Sequence, residues 1–350
     1  MTDQDRPANE TALQNALIEA LPEPVLVISP ARRIAAANAP ARSLFPAIKG
    51  DDLLPHILRA PDVLDAIGRV LAGGAAEVAS WHERVPVERL FDVHVAPLLT
   101  SGRARFVVLT LRDLTIARRV ERMRVDFIAN ASHELRTPLA SLLGFVETLQ
   151  GAAKDDAIAR ERFLVIMRDQ GRRMARLIDD LLSLSHIEQQ QHLRPKADVD
   201  VVEVTRHCID ALTPMAQENR VTLRLEAPES LVVAGDRDEL VRVAENLIEN
   251  AIKYGAGEAE SAVDIRLEAT GATARLAVRD YGPGIAPEHL PRLTERFYRV
   301  DAGQSRAKGG TGLGLALVKH IVARHRGRLR IVSEPGQGAE FAVEIPLQNA

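Results

Sequence analysis

The sequence predicts a multidomain chain: an α+β domain, a helical hairpin that forms a dimeric four-helix bundle, and a C-terminal α/β sandwich. Three observations predict it. Short apolar runs broken by turn residues fill the chain to about residue 115, two strand-like runs first and three last. A long helical pattern with one short break follows, and from Val199 to Pro346 strands and helices mix again.

The segments, taken in order, divide as 1–13 (a loose polar start), 14–115, 116–194 and 199–348. In the first domain a helix in "LQNALIEA" precedes a strand at Val25–Ile28, a turn at Ser29-Pro30 and a strand around Arg33–Ala37. Residues 52–72 read as helical, and three strands are expected at Ala76–Val85, Leu90–Leu99 and Ala104–Leu111. Phe91, Val93 and Val95 alternate with polar residues, the period-2 face of a half-buried strand. Two strands, short helices and three strands make a compact α+β unit. Next, Thr115 to Gln150 reads as one helix containing Pro138, and "GAAKDD" breaks it before a second helix from Ala157 to Gln191. Phe163, Met167, Met174, Leu177, Leu181 and Leu184 recur at spacings of three, four and seven, a packing seam. A hairpin alone cannot enclose its apolar faces, so pairing with a second copy is expected. "RPKADVD" is a linker into the last domain.

Composition excludes several classes. The formal net charge is −3, with basic and acidic residues interleaved, so no nucleic-acid partner is expected. The single cysteine, Cys208, allows no intramolecular disulfide or CxxC motif and fits buried packing in a reducing, cytoplasmic setting. No apolar run approaches the roughly 20 residues needed to span a bilayer. "MTDQDRPANETALQ" lacks the basic start and apolar core of a signal peptide.

The stretch "FIANASHELRTPLASLLGF" carries one histidine in an amphipathic helix. At about 100° per residue, Ile128, Ala131, Leu135, Leu139, Leu142, Val146 and Leu149 fall opposite His133. The imidazole therefore points away from the core, and no second His or Cys stands at ligand spacing for a metal. A solvated surface histidine is the competing reading. Glu134 adjoins it, where a carboxylate can fix one ring proton and leave the other nitrogen nucleophilic. Thr137 returns to nearly the same face and can position a water, and Pro138 should bend the helix.

Downstream, "ENLIENAIKYG" sets Asn246, Asn250, Lys253 and Tyr254 at i, i+4, i+7 and i+8 on one helical face. Amide oxygens suit a hard cation such as Mg²⁺, and a lysine suits phosphate; a merely solvated polar face is the alternative. "DYGPGI" offers Asp280 as acceptor for an adenine amine and places Gly282, Gly284 and Ile285 in a tight turn. "KGGTGLGLALVKHIV" leads Gly309, Gly310, Thr311, Gly312, Leu313 and Gly314 into an apolar helix, where backbone N–H groups can meet phosphate oxygens. It is neither a P-loop nor a Rossmann fingerprint. Between the glycine clusters, "TERFYRVDAGQSRAKGG" reads as a lid, with Phe297 in its apolar part and Arg299, Arg306 and Lys308 as phosphate-reaching cations.

"SHELRTPL" resembles the H-box of sensor histidine kinases, and the four later segments together resemble the N, G1, F and G2 boxes of the ATP-binding domain shared by histidine kinases, gyrase, Hsp90 and MutL. The resemblance spans about residues 118–347, and the order of the first domain resembles a PAS sensor domain. It implies autophosphorylation of His133 from ATP with Mg²⁺, acid/base work by Glu134, a dephosphorylation role for Thr137, a homodimer, and transfer to an aspartate of a response regulator receiver domain. "DFIANASHELRTPLASLLGFVETLQG" is also similar to phosphate-regulon sensor kinases. Many relatives carry membrane helices before the PAS domain, so input through a membrane-bound partner is an alternative to a soluble member. An ATPase machine and a non-catalytic scaffold are the competing classes. The H-box argues against the first and the nucleotide boxes against the second.

Overall fold

The computed structural model describes residues 16–50, 52–83, 88–99, 105–190, 192–255, 261–301 and 310–348. The chain divides into two compact units, 1–126 and 127–350.

In the first unit, strands β1 (Val25–Ile28) and β2 (Ile34–Ala37) precede helices α1 (Ala39–Leu44), α2 (Leu54–Ile57) and α3 (Pro61–Leu71). Strands β3 (Glu77–Glu83), β4 (Arg89–Leu99) and β5 (Arg105–Asp113) complete it. One antiparallel sheet results, in the order β2-β1-β5-β4-β3. The helix expected over 52–72 is two helices, because Pro61 cannot donate within a helix and instead starts α3. Phe91, Val93 and Val95 are buried as their alternation requires, and Trp81 stacks between Phe45 (5.6 Å) and Phe91 (4.8 Å). Asn38 is fully buried. Its Oδ1 accepts from Val25 N and Ala41 N, capping α1, while Nδ2 donates to the carbonyls of Ile18, Leu21 and Glu23. Residues 16–19 are helical and Ala20 is in a turn; the start of the helix expected there, residues 13–15, lies outside the described residues. His56, His82 and His94 are all exposed.

Helix α4 (Thr115–Gln150) is continuous through Pro138 and crosses the boundary between the units. In the second unit α5 (Ala157–Gln189) returns, capped by Asp156, whose carboxylate accepts from Ile158 N and Ala159 N. The seam residues Leu177 and Leu184 are buried. Phe163 packs on Phe145 at 5.1 Å. Ile128 and Leu139, on the face opposite His133, are 56% and 47% exposed in the single chain, as are Leu143 (56%) and Leu182 (64%). A hairpin with this much uncovered apolar surface needs a second surface.

The remainder of the unit layers α6 (Val201–Glu218), α7 (Arg237–Gly255) and α8 (Gly314–Arg324) on a five-stranded sheet. Its strands are β7 (Val221–Glu226), β9 (Ser261–Thr270), β10 (Thr273–Asp280), β11 (Arg328–Ser333) and β12 (Ala339–Pro346), in the order β11-β12-β10-β9-β7. The β7–β9 pair is parallel because α7 crosses over between them; the others are antiparallel. Strands β6 (Ala197–Asp200) and β8 (Val232–Gly235) pair separately. Leu247, Ile248, Ala251 and Ile252 of α7 are buried as the pattern predicts, and Cys208 is buried with its thiol pushed up to about 12 by burial. Both sheet edges carry exposed charges: Arg328 and Arg330 on β11, Arg224 and Glu226 on β7. Arg324, largely buried, pairs with Glu239 and also donates to Gln190 Oε1 and Leu193 O, fastening the end of α5 to this domain.

Candidate functional site

His133 lies exposed on α4, the orientation its helix face requires. Thr137, also exposed, turns its hydroxyl back to donate to His133 O at 3.2 Å, and Pro138 is buried. Glu134, one position on, points elsewhere. Its carboxylate receives Arg299 Nη1 on Oε1 at 3.3 Å and Arg299 Nη2 on Oε2 at 3.0 Å, with Arg173 Nη2 3.4 Å from Oε2.

Asn246, Asn250, Lys253 and Tyr254 lie half-buried along α7. Asn246 Nδ2 donates to Arg242 O, and its Oδ1 faces Gly314, where an added Cβ would collide with it. Lys253, expected to meet phosphate, forms an i,i+4 pair with Glu249 at 2.6 Å, the contact that helix geometry makes nearest. Arg176 of α5 reaches the same Glu249 at 3.6 Å.

Asp280 ends β10 and is 5% exposed. Its Oδ1 accepts from Gly282 N (3.0 Å) and Ala339 N (3.3 Å), which leaves Oδ2 as the oxygen for a ligand donor. Burial raises its carboxyl above the usual carboxylate range, against the two amide bonds and the nearby Arg279. The following turn is held by Ile285 N donating to Ser333 Oγ at 2.9 Å, with Gly284 at φ +70.

The segment after it returns to the hairpin. Phe297, at φ +63, donates its N–H to Gly312 O (2.8 Å) and packs its ring on Phe127 (5.9 Å). Gly312 sits at φ +75 with a would-be Cβ 2.9 Å from Phe297 Cα, so only glycine fits. Leu313 is fully buried, and Gly314 begins α8. Lys308, with Arg306 and Gly309, lies outside the described residues.

Arg299 differs most from expectation. Rather than extending toward a phosphate position, its guanidinium is 7% exposed, spans Glu134 and donates to Gly310 O at 2.8 Å. A nearly buried guanidinium requires an anionic partner, and Glu134 is the carboxylate in reach. Beside it, Thr311 Oγ1 donates to Asp180 Oδ2 at 2.9 Å and accepts from Leu313 N. Burial raises the Asp180 carboxyl, the Thr311 bond opposing it. Arg296 pairs with Glu188 of α5 and lies 5.2 Å from the Phe127 ring centre.

Sequence reasoning gives no role to Arg173, Asp180 or Glu188, which read as solvated charges. Their spacings of seven and eight place them on one face of α5, and that periodicity is the available signal. The structure thus brings Glu134 to Arg299, which also donates to Gly310 O, and separately Thr311 to Asp180; it brings Asn246 to Gly314.

Three family models match in succession: "PAS fold" over residues 18–119, "His Kinase A (phospho-acceptor) domain" over 123–190, and "Histidine kinase-, DNA gyrase B-, and HSP90-like ATPase" over 235–349. The chain is 38% identical over 251 residues to the sensor-like histidine kinase SenX3 of Mycobacterium tuberculosis, covering 72% of this chain and 60% of that protein. It is 41% identical over 244 residues to the phosphate regulon sensor protein PhoR of Pseudomonas aeruginosa, covering 69% and 55%. The chain therefore spans 55–60% of the length of these two curated relatives. Among solved structures, the Acinetobacter baumannii histidine kinase AdeS matches at 29% identity and TM-score 0.50, over 62% of this chain and 98% of that one. The histidine kinase ThkA, solved with the response regulator protein TrrA, shares the fold at 20% identity and TM-score 0.51, over 95% of this chain and 98% of that one. With a PAS fold, a phosphoacceptor hairpin and this ATPase fold in order along one chain, the protein belongs to the sensor histidine kinases.

Proposed function

We propose that this protein autophosphorylates His133 from MgATP and passes the phosphoryl group to an aspartate on a response regulator receiver domain. The observation that carries the reading is an exposed His133 on a hairpin whose neighbouring Glu134 is held by Arg299, from the segment between the two glycine clusters. Acceptor helix and nucleotide segment thus belong to one compact unit. Neither an ATPase machine nor a scaffold needs that link.

In this reading Asp280 accepts the adenine amine through Oδ2, and Gly282, Gly284 and Ile285 shape the base pocket. Asn250, with Asn246 beside it, supplies hard oxygen donors for Mg²⁺, whose role is to neutralise phosphate charge. Lys253 and Tyr254 border the phosphates. The amides of Gly310 to Gly314 at the start of α8 bind them, and Lys308 adds a cation. Phe297 secures the base of the lid. Arg299 leaves Glu134 to reach the γ-phosphate, and Glu134 then holds the His133 tautomer whose free nitrogen attacks in line. Thr137 directs a water at the phosphorylated regulator and so supports its dephosphorylation.

The chain acts as a homodimer through the exposed apolar residues of the hairpin. Leu143→Glu with Leu182→Glu should yield a monomer by light scattering, and a persistent dimer would place the contact elsewhere. The complex of ThkA with TrrA supports a receiver-domain partner, and the similarity to PhoR supports phosphate-responsive signalling. Among the described residues no helix is long and apolar enough to cross a membrane.

The test is incubation with γ-labelled ATP and Mg²⁺, comparing wild type with His133→Gln. Acid-labile, alkali-stable label on wild type alone is expected. Hydrolysis without label would favour the ATPase, and absence of nucleotide binding would favour the scaffold.

A further inference from the structure

Gly255 is the last residue of α7, and its own backbone gives no reason for a glycine there. Glycine weakens a helix relative to alanine, and Gly255 is not in the left-handed conformation that reserves a position for it. The reason lies in what faces it. An added Cβ would stand 2.5 Å from Asp280 Cβ, 3.3 Å from Cγ and 3.5 Å from Oδ1, so its three nearest atoms all belong to that one side chain.

Asp280 has little freedom to give way. It is 5% exposed, and its Oδ1 accepts from Gly282 N and Ala339 N. Gly282 presses on the same spot: a Cβ there would lie 2.5 Å from Tyr254 O and 2.9 Å from Gly255 Cα. The end of α7 and the turn after β10 therefore pass backbone to backbone. Asn246 and Asn250 stand on this same helix, so the contact sets the Asp280 carboxyl against the element that carries the proposed metal-binding amides.

We infer that Gly255 is a positioning residue for adenine recognition: its missing Cβ lets Asp280 sit against α7 with Oδ2 aimed at the amine of the base. The inference rests on the reading of Asp280 as the adenine acceptor. Carbon atoms in ordinary contact stand about 3.5–4.0 Å apart, so a methyl group at 255 must move the Asp280 side chain by roughly 1 Å. A hydrogen bond that depends on direction does not survive such a shift unchanged. The phosphate-binding amides at the start of α8 are not among the atoms the methyl group would meet.

The experiment titrates full-length wild type and Gly255→Ala by calorimetry with two magnesium-loaded ligands. One is ADP; the other is purine riboside diphosphate, in which hydrogen replaces the amine. Neither carries a γ-phosphoryl group, so binding alone is read. Wild type should prefer ADP by about ten- to hundredfold, the range for one hydrogen bond to a charged group. Gly255→Ala should reduce that preference to about threefold or less, through weaker ADP binding, and leave the amine-free ligand within about twofold of wild type. A loss shared equally by both ligands would overturn the assignment, because a general distortion does not single out the amine. Wild type without a preference would bring down the reading of Asp280 itself, whereas a preference kept by Gly255→Ala would refute Gly255 alone. Should Gly255→Ala not fold, thermal melts decide. Asp280→Gly removes the opposing side chain, so adding Gly255→Ala to it should not lower Tm, and a lowered Tm would overturn the pairing.

Discussion

If Arg299 is shared between Glu134 and bound nucleotide, replacing the glutamate should strengthen nucleotide binding. Glu134→Gln keeps the side-chain length and one acceptor oxygen, so the hairpin face is not emptied. It removes the charge. The interaction it weakens is a pair of charge-assisted hydrogen bonds at 3.3 and 3.0 Å, both side chains largely buried at 7% and 18% exposure. Bonds to charged groups contribute about 1.5–3 kcal/mol, neutral ones about 0.5–1.5. These bonds are long, so the difference is taken at the low end, about 1 kcal/mol, or roughly fivefold in affinity. Complete release is not expected, because Thr311–Asp180, Arg296–Glu188 and Phe297–Phe127 still tie the same segment to the hairpin. The assay is calorimetric titration with a non-hydrolysable ATP analogue and Mg²⁺. Glu134→Gln should bind several-fold tighter than wild type, Arg299→Ala more weakly, and the double variant like Arg299→Ala. Unchanged affinity in Glu134→Gln, or a double variant as tight as Glu134→Gln, would refute the competition.

Other outcomes follow from single contacts. Asp280→Asn can keep its Oδ1 bonds to Gly282 and Ala339 but presents an amide donor to the adenine amine, so analogue binding should be lost with no fall in Tm. Because burial raises the Asp280 carboxyl, its ionised form weakens the fold. The stability gap favouring the asparagine variant should therefore be full at alkaline pH and shrink as pH falls through the raised value, as melts across the range would show. Gly312→Ala places a Cβ against the Phe297 backbone at positive φ and should cost about 1–3 kcal/mol in denaturant unfolding. Arg324→Ala leaves Glu239 buried without its ion pair and should destabilise by about 3–5 kcal/mol. Burial already raises the Glu239 carboxyl against the attraction of Arg324, so that loss should be larger at alkaline than at acid pH.

The helices and strands are legible because their apolar periods are long and their stops are marked. The α4 span from Thr115 to Gln150 and the exposed face of His133 both follow from a 3.6-residue pattern. Residues 52–72 read as one stretch because a single apolar pattern runs through both helices and hides Pro61 as a start. The site is legible as residue types on single elements. Pairings across elements are not: nothing local to Arg299 or Thr311 announces Glu134 or Asp180, which lie more than a hundred positions away. Lys253 reads as a phosphate ligand from its polar face, although Glu249 stands one turn before it, a pair that sequence spacing alone makes available.

The charges along both borders of the five-stranded sheet bear on the protein's solubility. Arg328 and Arg330 on one side, and Arg224 and Glu226 on the other, would have to be desolvated before another strand could extend the sheet. Open-ended polymerisation through the sheet is thereby disfavoured. The hairpin also exposes apolar side chains, Leu143 and Leu182 among them, and in the proposed homodimer their association is two-fold and closes on itself. In that proposed arrangement the protein forms discrete pairs rather than growing fibres.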